Sequence, residues 1–295
     1  MNPVRNQISN GVNLKYVDAH CHIQFEQYAE DDVELIERMK DEGVAGIVVG
    51  VDRESSKKAI SLSEKYEHLF ASVGLHPNRV GQEDFNMEKY RELAKNTKVV
   101  AIGECGLDYY RLPTNETAYS APATAEAMAG KEATKAKQKE ILQKHIELAV
   151  EVGKPLIIHA RPRKNTMDAY TDLIEILKEA KRKHKNLRGD IHFFVGRISE
   201  AEAFIALGFT ISFTAVITFA RDYDAVIRAV PLASILSETD SPYVAPESRR
   251  GKRNDPLAVV DVVAKIAEIR NEHLETVRAV ILANTKRLFA LPALP

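Results

Sequence analysis

Short β-rich segments alternate with longer helical patterns along the whole of this 295-residue chain, and this alternation limits the possible folds more than any other feature. Eight segments carry the β-branched, aromatic and apolar residues typical of strands. These predicted strands are Tyr16–His22, Ala45–Val51, Leu69–His76, Val99–Leu107, Pro155–Ala160, Asp190–Phe194, Thr210–Phe213 and Ile235–Thr239. Helical periodicity fills the intervals, and two closing helices are predicted over about Pro256–Ile269 and Glu272–Ala290.

Repeated strand–helix alternation is typical of parallel strands joined by crossover helices. The apolar runs IVVGV, VVAIG and PLIIH fit strands that are buried on both faces. We therefore predict an α/β fold, a (β/α)8 TIM-type barrel with C-terminal helices and an insertion after strand 4. An open, doubly wound sheet is the alternative, although no glycine-rich phosphate-binding sequence follows the first strand. One domain over residues 1–295 accommodates the pattern.

Two segments depart from the alternation. Residues 1–15 form an N-terminal extension without an apolar core, which does not resemble a secretory signal. Residues 112–136 are rich in Ala, Thr and Pro and follow strand 4, on the side where barrel active sites form. A mobile lid and a solvated insertion without a role both fit this second segment.

Composition and charge exclude several classes of protein. Cys21 and Cys105 are too few for a disulfide framework, and strand alternation predicts that they face away from the barrel axis as reduced thiols. The uncharged stretch Ala203–Ala220 is divided by Gly208 and by hydroxyl side chains, so we predict a buried helix-to-strand passage rather than a membrane span. A cytoplasmic location follows from these features.

Metal-binding side chains gather at the predicted carboxyl ends of five strands. In the first strand, DAHCH places His20 and His22 two positions apart, so that both imidazoles project to one face. A barrel brings all its strand ends to one mouth, where strands four, five, six and eight end. The residues that they contribute are Glu104, His159, His192 and Asp240. Four imidazoles and two carboxylates suit two divalent ions that share a bridging carboxylate, and Zn²⁺, Mn²⁺ and Mg²⁺ all fit such ligands.

An ordered series of motifs resembles the TatD family of metal-dependent deoxyribonucleases, within the amidohydrolase-like barrel superfamily. The motifs are DAHCH, VGLHPN (Val73–Asn78), IGECGLDYYR (Ile102–Arg111), PLIIHAR, HFFVG (His192–Gly196), ETDSPYVAP (Glu238–Pro246), RGKRNDP (Arg250–Pro256) and NTKRLF (Asn284–Phe289). They span about Tyr16 to Ala290. The extension, the insertion and Asn78 depart from the family pattern.

The resemblance implies a barrel that hydrolyses phosphodiester bonds in DNA, typically exonucleolytically from a 3′ end. It implies that one ion is held by His20, His22 and Asp240, that His159 and His192 hold the other, and that Glu104 bridges them. Asp240, as a ligand with one oxygen free, is the candidate to orient or deprotonate the attacking water. Asp240 and Glu104 are therefore the predicted catalytic residues.

Five further side chains are candidate substrate-binding groups. His76 ends the third predicted strand and could hydrogen-bond a phosphate, or it could be an imidazole packed at the barrel mouth. Arg161 follows a predicted ligand and could pair bidentately with phosphate, or it could form a structural salt bridge. Arg250, Lys252 and Arg253 follow strand eight, where a basic cluster either contacts the DNA backbone or is a solvated face.

Three functions are compatible with the sequence. In the first, DNA is a transient substrate met by local basic loops, since the formal net charge is only −1. The second is an amidohydrolase cleaving a C–N or ester bond in a small molecule, but that branch often bridges its metals with a carbamylated lysine, where this chain has Glu104. The third is a non-catalytic scaffold that binds nucleic acid or protein. No membrane association or obligate protein partner is indicated, and a monomer is the default expectation.

Overall fold

Eight parallel β-strands form a nearly closed barrel in the computed structural model, which describes residues 14–112 and 125–292. Strand order follows chain order, and all neighbouring pairs are parallel. The strands are β1 Tyr16–Cys21, β2 Val44–Val49, β3 Leu69–Val73, β4 Val99–Asp108, β5 Leu156–Arg161, β6 Gly189–His192, β7 Thr210–Phe213 and β8 Ile235–Ser237. A parallel bridge between Cys21 and Ser241 connects β1 with the chain just beyond β8. The predicted barrel is confirmed, and the open sheet is wrong.

Helices alternate with the strands and surround the barrel. They are α1 Asp32–Glu42, α2 Arg53–Lys65, α3 Met87–Ala94, α4 Ala125–Val152, α5 Asp168–Lys183, α6 Ile198–Ala206, α7 Asp224–Ala229, α8 Val259–Arg270 and α9 Leu274–Phe289. Local chemistry explains several boundaries. Gly43, in the left-handed conformation at φ 74°, ends α1 just before β2. The Asp52 side chain accepts the Ser55 amide hydrogen at 2.7 Å and caps α2.

The predicted insertion at residues 112–136 requires a partial correction. Residues 125–136 form the first turns of α4, so this portion is part of a crossover helix and not a loop. Its Ala-rich sequence favours a helix intrinsically, but most of its described side chains are exposed and therefore show no apolar stripe. Residues 113–124, on which the lid prediction mainly rests, and residues 1–13 of the extension lie outside the described residues.

Two apolar cores show which end of the barrel is closed and which end is open. The larger core lies between the strands and the helices, and it contains the buried thiols Cys21 and Cys105. The smaller core lies inside the barrel and includes Leu288 and Phe289 at the end of α9 and Leu291 just after it. These side chains close the barrel at the amino ends of the strands. The opposite end, where the strands terminate, remains available for a functional site.

The uncharged stretch of residues 203–220 is the predicted helix-to-strand passage. It comprises the end of α6, Gly208 at φ 81°, β7 and a short 3-10 helix over Ala215–Thr218. No helix in residues 14–112 and 125–292 combines the length and the apolar character that crossing a membrane requires.

Candidate metal centre

Glu104 is the centre of a cluster of imidazoles at the carboxyl end of the barrel. Its Oε2 lies 3.5 Å from His20 Nε2, and its Oε1 lies 2.9 Å from His192 Nε2 and 3.0 Å from His159 Nδ1. These residues come from β1, β4, β5 and β6. The Glu104 side chain is only 4% exposed. Burial opposes ionisation of this carboxyl, but the surrounding imidazoles hold its pKa well below the usual range.

Asp240 occupies the more open edge of the same cluster. Its Oδ1 lies 3.4 Å from His22 Nε2 and 3.8 Å from His20 Nε2, and its side chain is 15% exposed. Asp240 has a positive φ of 51°, which an aspartate tolerates better than most residues, and its amide donates to the His20 carbonyl at 2.9 Å. The turn after β8 therefore holds this carboxylate against the two histidines of β1.

The donor set fits divalent cations. Two pairs of imidazole nitrogens face each other, His20 Nε2 and His22 Nε2 at 3.2 Å and His159 Nδ1 and His192 Nε2 at 3.3 Å. The lone pairs of two imidazole nitrogens repel each other at this distance unless a proton or a metal ion lies between them. His20, His22 and Glu104 form one group whose ligand atoms lie within 4.8 Å of one another. The structure thus brings together all six predicted ligands, although the number and identity of the ions stay predictions.

His76, predicted to contact phosphate, lies against Glu104. Its Nε2 is 3.3 Å from Glu104 Oε1, and its Nδ1 accepts the Asn78 amide hydrogen at 3.0 Å. An imidazole that accepts through Nδ1 carries its proton on Nε2 when neutral. His76 therefore presents an N–H group to Glu104 in this arrangement, which suits a hydrogen-bond donor better than a metal ligand.

Two buried carboxylates that the sequence analysis missed support the predicted ligands. Asp108 Oδ2 lies 3.3 Å from His159 Nε2 and accepts the Asn78 side-chain amide at 3.0 Å, which gives Asn78 a structural role. Glu238 Oε1 lies 3.4 Å from His192 Nδ1 and accepts the Phe193 amide hydrogen at 2.6 Å. The spacing of Glu238 and Asp240 in ETDSP repeats the two-residue interval of the histidine pair, and this interval was the available signal.

A hydroxyl links Glu238 to a second acid behind the metal centre. The Ser212 hydroxyl lies 3.0 Å from Glu238 Oε2 and 2.5 Å from Asp190 Oδ2. Ser212 has one hydroxyl hydrogen, so it satisfies both carboxyl groups only when one of them is protonated. Burial and the Glu238 charge raise the pKa of Asp190 to about 7, which favours a proton on this carboxyl group.

The predicted basic residues occupy different positions. The Arg161 guanidinium stacks over the Tyr110 ring at 4.2 Å and forms no ion pair with a carboxylate of the described residues. Arg250 stacks over Phe219 at 4.4 Å, and Lys252 is exposed. Arg253 has partners of its own. It donates to the Asp31 carboxylate at 2.8 Å and to the Gln27 carbonyl at 2.6 Å, so part of its capacity is already used within the protein.

A (β/α)8 barrel with convergent histidines and carboxylates at its open mouth defines the class of metal-dependent hydrolases. A model of the TatD related DNase family matches residues 17–290. The chain therefore belongs to the TatD related DNase family, and the resemblance recognised in its motifs is confirmed.

Individual relatives agree with this assignment. The chain is 35% identical over 278 residues to YabD of Bacillus subtilis, named as an uncharacterized metal-dependent hydrolase, with 93% of this chain and 98% of the relative covered. It is 33% identical over 285 residues to YcfH of Escherichia coli, similarly named, with coverages of 94% and 96%. The crystal structure of YjjV, a TatD homolog from Escherichia coli, matches with a TM-score of 0.80, 28% identity and coverages of 94% and 99%.

Proposed function

We propose that this metal-dependent hydrolase is a 3′–5′ exodeoxyribonuclease that cleaves phosphodiester bonds in DNA and uses two divalent ions. The convergence of imidazoles from three other strands on Glu104, with Asp240 at the open edge, is the observation that carries the proposal. The description of the matching family, TatD related DNase, supports DNA as the substrate. The 3′ polarity rests on the family resemblance of the motifs.

The ligands would divide between two positions. We propose that His20, His22 and Asp240 hold one ion, that His159 and His192 hold the other, and that Glu104 contacts both. Bound divalent ions would supply Lewis acidity, which lowers the pKa of a water and neutralises charge that develops on the phosphoryl oxygens.

The protein's own groups would perform the remaining steps. Asp240 Oδ1 faces the β1 histidines, so Oδ2 is the oxygen that orients the attacking water and accepts its proton. His76 donates to Glu104 and keeps that carboxylate in position. Arg161 and Arg250, which are pre-positioned on aromatic rings, would bind the phosphates beside the scissile bond.

The two alternative functions remain distinguishable by substrate. A small-molecule amidohydrolase would use the same ligands on a C–N or ester bond, and a non-catalytic scaffold would bind DNA without turnover. Arg161, Arg250 and Lys252 surround the barrel mouth or follow its last strand, and they favour a polyanionic substrate over a neutral one.

Hydrolysis of 5′-labelled single-stranded DNA by metal-stripped protein tests the proposal, with Mg²⁺, Mn²⁺ or Zn²⁺ restored separately. We expect a ladder that shortens from the 3′ end, requires metal and is absent in a His20→Ala/Glu104→Ala variant. A Glu179→Ala/His184→Ala variant, altered at the opposite end of the barrel, should retain full activity. An RNA oligonucleotide run in parallel measures the preference for DNA. If metal binds and no oligonucleotide is cleaved, the nuclease proposal is wrong.

A further inference from the structure

We propose that Tyr243 and Tyr110 are stacking platforms for the two nucleobases that flank the scissile phosphodiester. This inference rests on the proposed DNA hydrolysis and assigns a new subsite on each side of the metal centre. Five large hydrophobic side chains are exposed among residues 14–112 and 129–292, and these two are the aromatic ones, at 49% and 51% exposure.

Tyr243 lies beside the first pair of ligands. Its ring centroid is 6.5 Å from that of His22, and its amide donates to the Asp240 carbonyl at 3.0 Å. The buried Asn254 side chain donates to the Tyr243 carbonyl at 2.8 Å. The backbone of this residue is therefore fixed, while half of the side chain is open to solvent. An exposed aromatic ring has only two side-chain torsions to order, so it loses little entropy when it binds another flat group next to the reactive centre.

Tyr110 lies beside the second pair of ligands and is held in a similar way. Its amide donates to Asp108 Oδ1 at 3.0 Å, and the other oxygen of that carboxylate lies 3.3 Å from His159. The Arg161 guanidinium covers one face of the ring at 4.2 Å. The same guanidinium retains N–H groups at its edge that can bind a phosphate. Tyr110 and Arg161 together thus offer a ring for a base and a charge for the adjoining backbone.

Topology places the two rings on opposite sides of the mouth. Tyr110 follows β4 and Tyr243 follows β8, and strands four positions apart in an eight-stranded closed order lie across the barrel from each other. A phosphodiester bound over Glu104 has one nucleoside on each side, so the two platforms match its two flanking bases. Bases within a duplex are already stacked and paired, and they are unavailable to such platforms without unpairing.

Abasic substitutions in the substrate test this arrangement with the metal-loaded protein. A 5′-labelled single strand carries a tetrahydrofuran residue at its last or its penultimate nucleotide, and KM and kcat are measured for each. For the wild-type protein, each missing base should raise KM by about 5-fold to 150-fold, the range expected for loss of one base–aromatic stack. A double-stranded blunt end should be a poorer substrate than the single strand.

Variants then connect each base to one ring. Tyr243→Ala should raise KM for the intact strand and abolish the further penalty at one abasic position, and Tyr110→Ala should do so at the other. Tyr243→Phe and Tyr110→Phe should behave as wild type, because they keep the ring. Tyr16→Ala is the matched control, since Tyr16 also lies under an arginine, Arg278 at 5.9 Å, but belongs to the opposite end of the barrel.

The outcomes separate the two proposals. If the intact strand is hydrolysed but the abasic penalties are absent, or persist unchanged in the alanine variants, the stacking inference is wrong and the nuclease function stands. If no strand is hydrolysed by the metal-loaded protein, the nuclease function is wrong and this inference falls with it. If the KM penalty at each abasic position disappears in only one of the two alanine variants, the result supports both the nuclease function and the stacking inference.

Discussion

Replacement of Glu238 by Gln tests whether one buried carboxylate orients imidazoles on both sides of the metal centre. Its oxygens lie 3.4 Å from His192 Nδ1 and 4.0 Å from His20 Nδ1, and neither nitrogen has a hydrogen-bond partner among the described residues. A carboxylate in this position favours a proton on Nδ1 and leaves Nε2 of each ring directed at Glu104. Glutamine preserves the shape, but it replaces one accepting oxygen with an N–H₂ donor.

The expected loss follows from the number of rings affected. Removal of an outer-shell partner of a metal-binding histidine typically costs about 10-fold to 100-fold in metal affinity. Glu238 lies near two such rings, but its Oε1, which faces His192, stays an acceptor in glutamine, and only the Oε2 side near His20 becomes a donor. We therefore expect a loss at the lower end of this range, about 10-fold, which corresponds to about 1.4 kcal/mol. The free energy of unfolding of the metal-free variant should change by less than about 1 kcal/mol. Phe193 keeps its acceptor, and the repulsion that raises the pKa of Asp190 disappears.

Calorimetric titration of metal-stripped protein with Mn²⁺ or Zn²⁺, together with urea unfolding of the same preparations, measures both quantities. Glu247→Gln is the matched control, because this exposed glutamate lies in the loop after β8 and contacts no predicted ligand. Wild-type metal affinity in the Glu238→Gln variant would refute the orienting role. A loss of affinity accompanied by an equal loss of metal-free stability would show instead that Glu238 merely maintains the fold.

Three other outcomes are expected. Asp240→Asn should lower kcat by about 100-fold to 10,000-fold, because the amide cannot accept a proton. DNA binding measured by fluorescence anisotropy should change little. Wild-type turnover of the metal-bound variant would exclude Asp240 as the group that accepts the proton of the water. Burial lowers the pKa of His145 to about 4, so its neutral form stabilises the fold above pH ~6.5, and this contribution is lost as the pH falls towards ~4, with about 2 kcal/mol gone at pH ~5. Urea unfolding of the metal-free wild type and of His145→Gln at pH ~6.5 and pH ~5 should show a smaller loss of unfolding free energy in the variant. Equal losses in the two proteins would contradict the assignment to His145. Metal ions at about 100 times Kd should add about 2.7 kcal/mol of stability to the wild type in thermal melts, whereas an equal gain in His20→Ala/Glu104→Ala would place the ions elsewhere.

Local sequence patterns were sufficient to predict the barrel and the residues gathered at its mouth. Each of the eight strands was predicted within a few residues, because two-sided burial leaves a continuous apolar run. The carboxyl ends were less accurate. The third strand was predicted to reach His76 but ends at Val73. Gly74 follows, and it approaches the backbone of Gly103 so closely that a Cβ atom would lie 2.6 Å from its carbonyl carbon. The chain turns out of the sheet at this point.

Contacts between distant parts of the chain were not predictable from local patterns. Arg253 pairs with Asp31, 222 residues earlier, so a basic run that suggested DNA binding is partly a structural ion pair. The support given to His192 by Glu238 likewise depends on the closeness of β6 and β8 across β7. Both features arise when the barrel closes, and closure is a property of the whole chain.

Buried acids around the site concentrate negative charge at this barrel mouth, which a bound cation would compensate. Five acidic residues are buried, and none of them pairs with a lysine or arginine in the part of the chain that the structure describes; they are Asp18, Glu104, Asp108, Asp190 and Glu238. Burying a charge without a compensating partner costs several kcal/mol of free energy, on the order of the desolvation penalty of an ion. Burial raises the pKa of Asp18 and of Asp190, which favours the uncharged form of these two carboxyl groups. At Glu104 the surrounding imidazoles oppose this effect of burial and stabilise the ionised form. The negative charge therefore remains where the predicted ligands converge, and a divalent ion bound there would compensate it and also link metal occupancy to the stability of the fold.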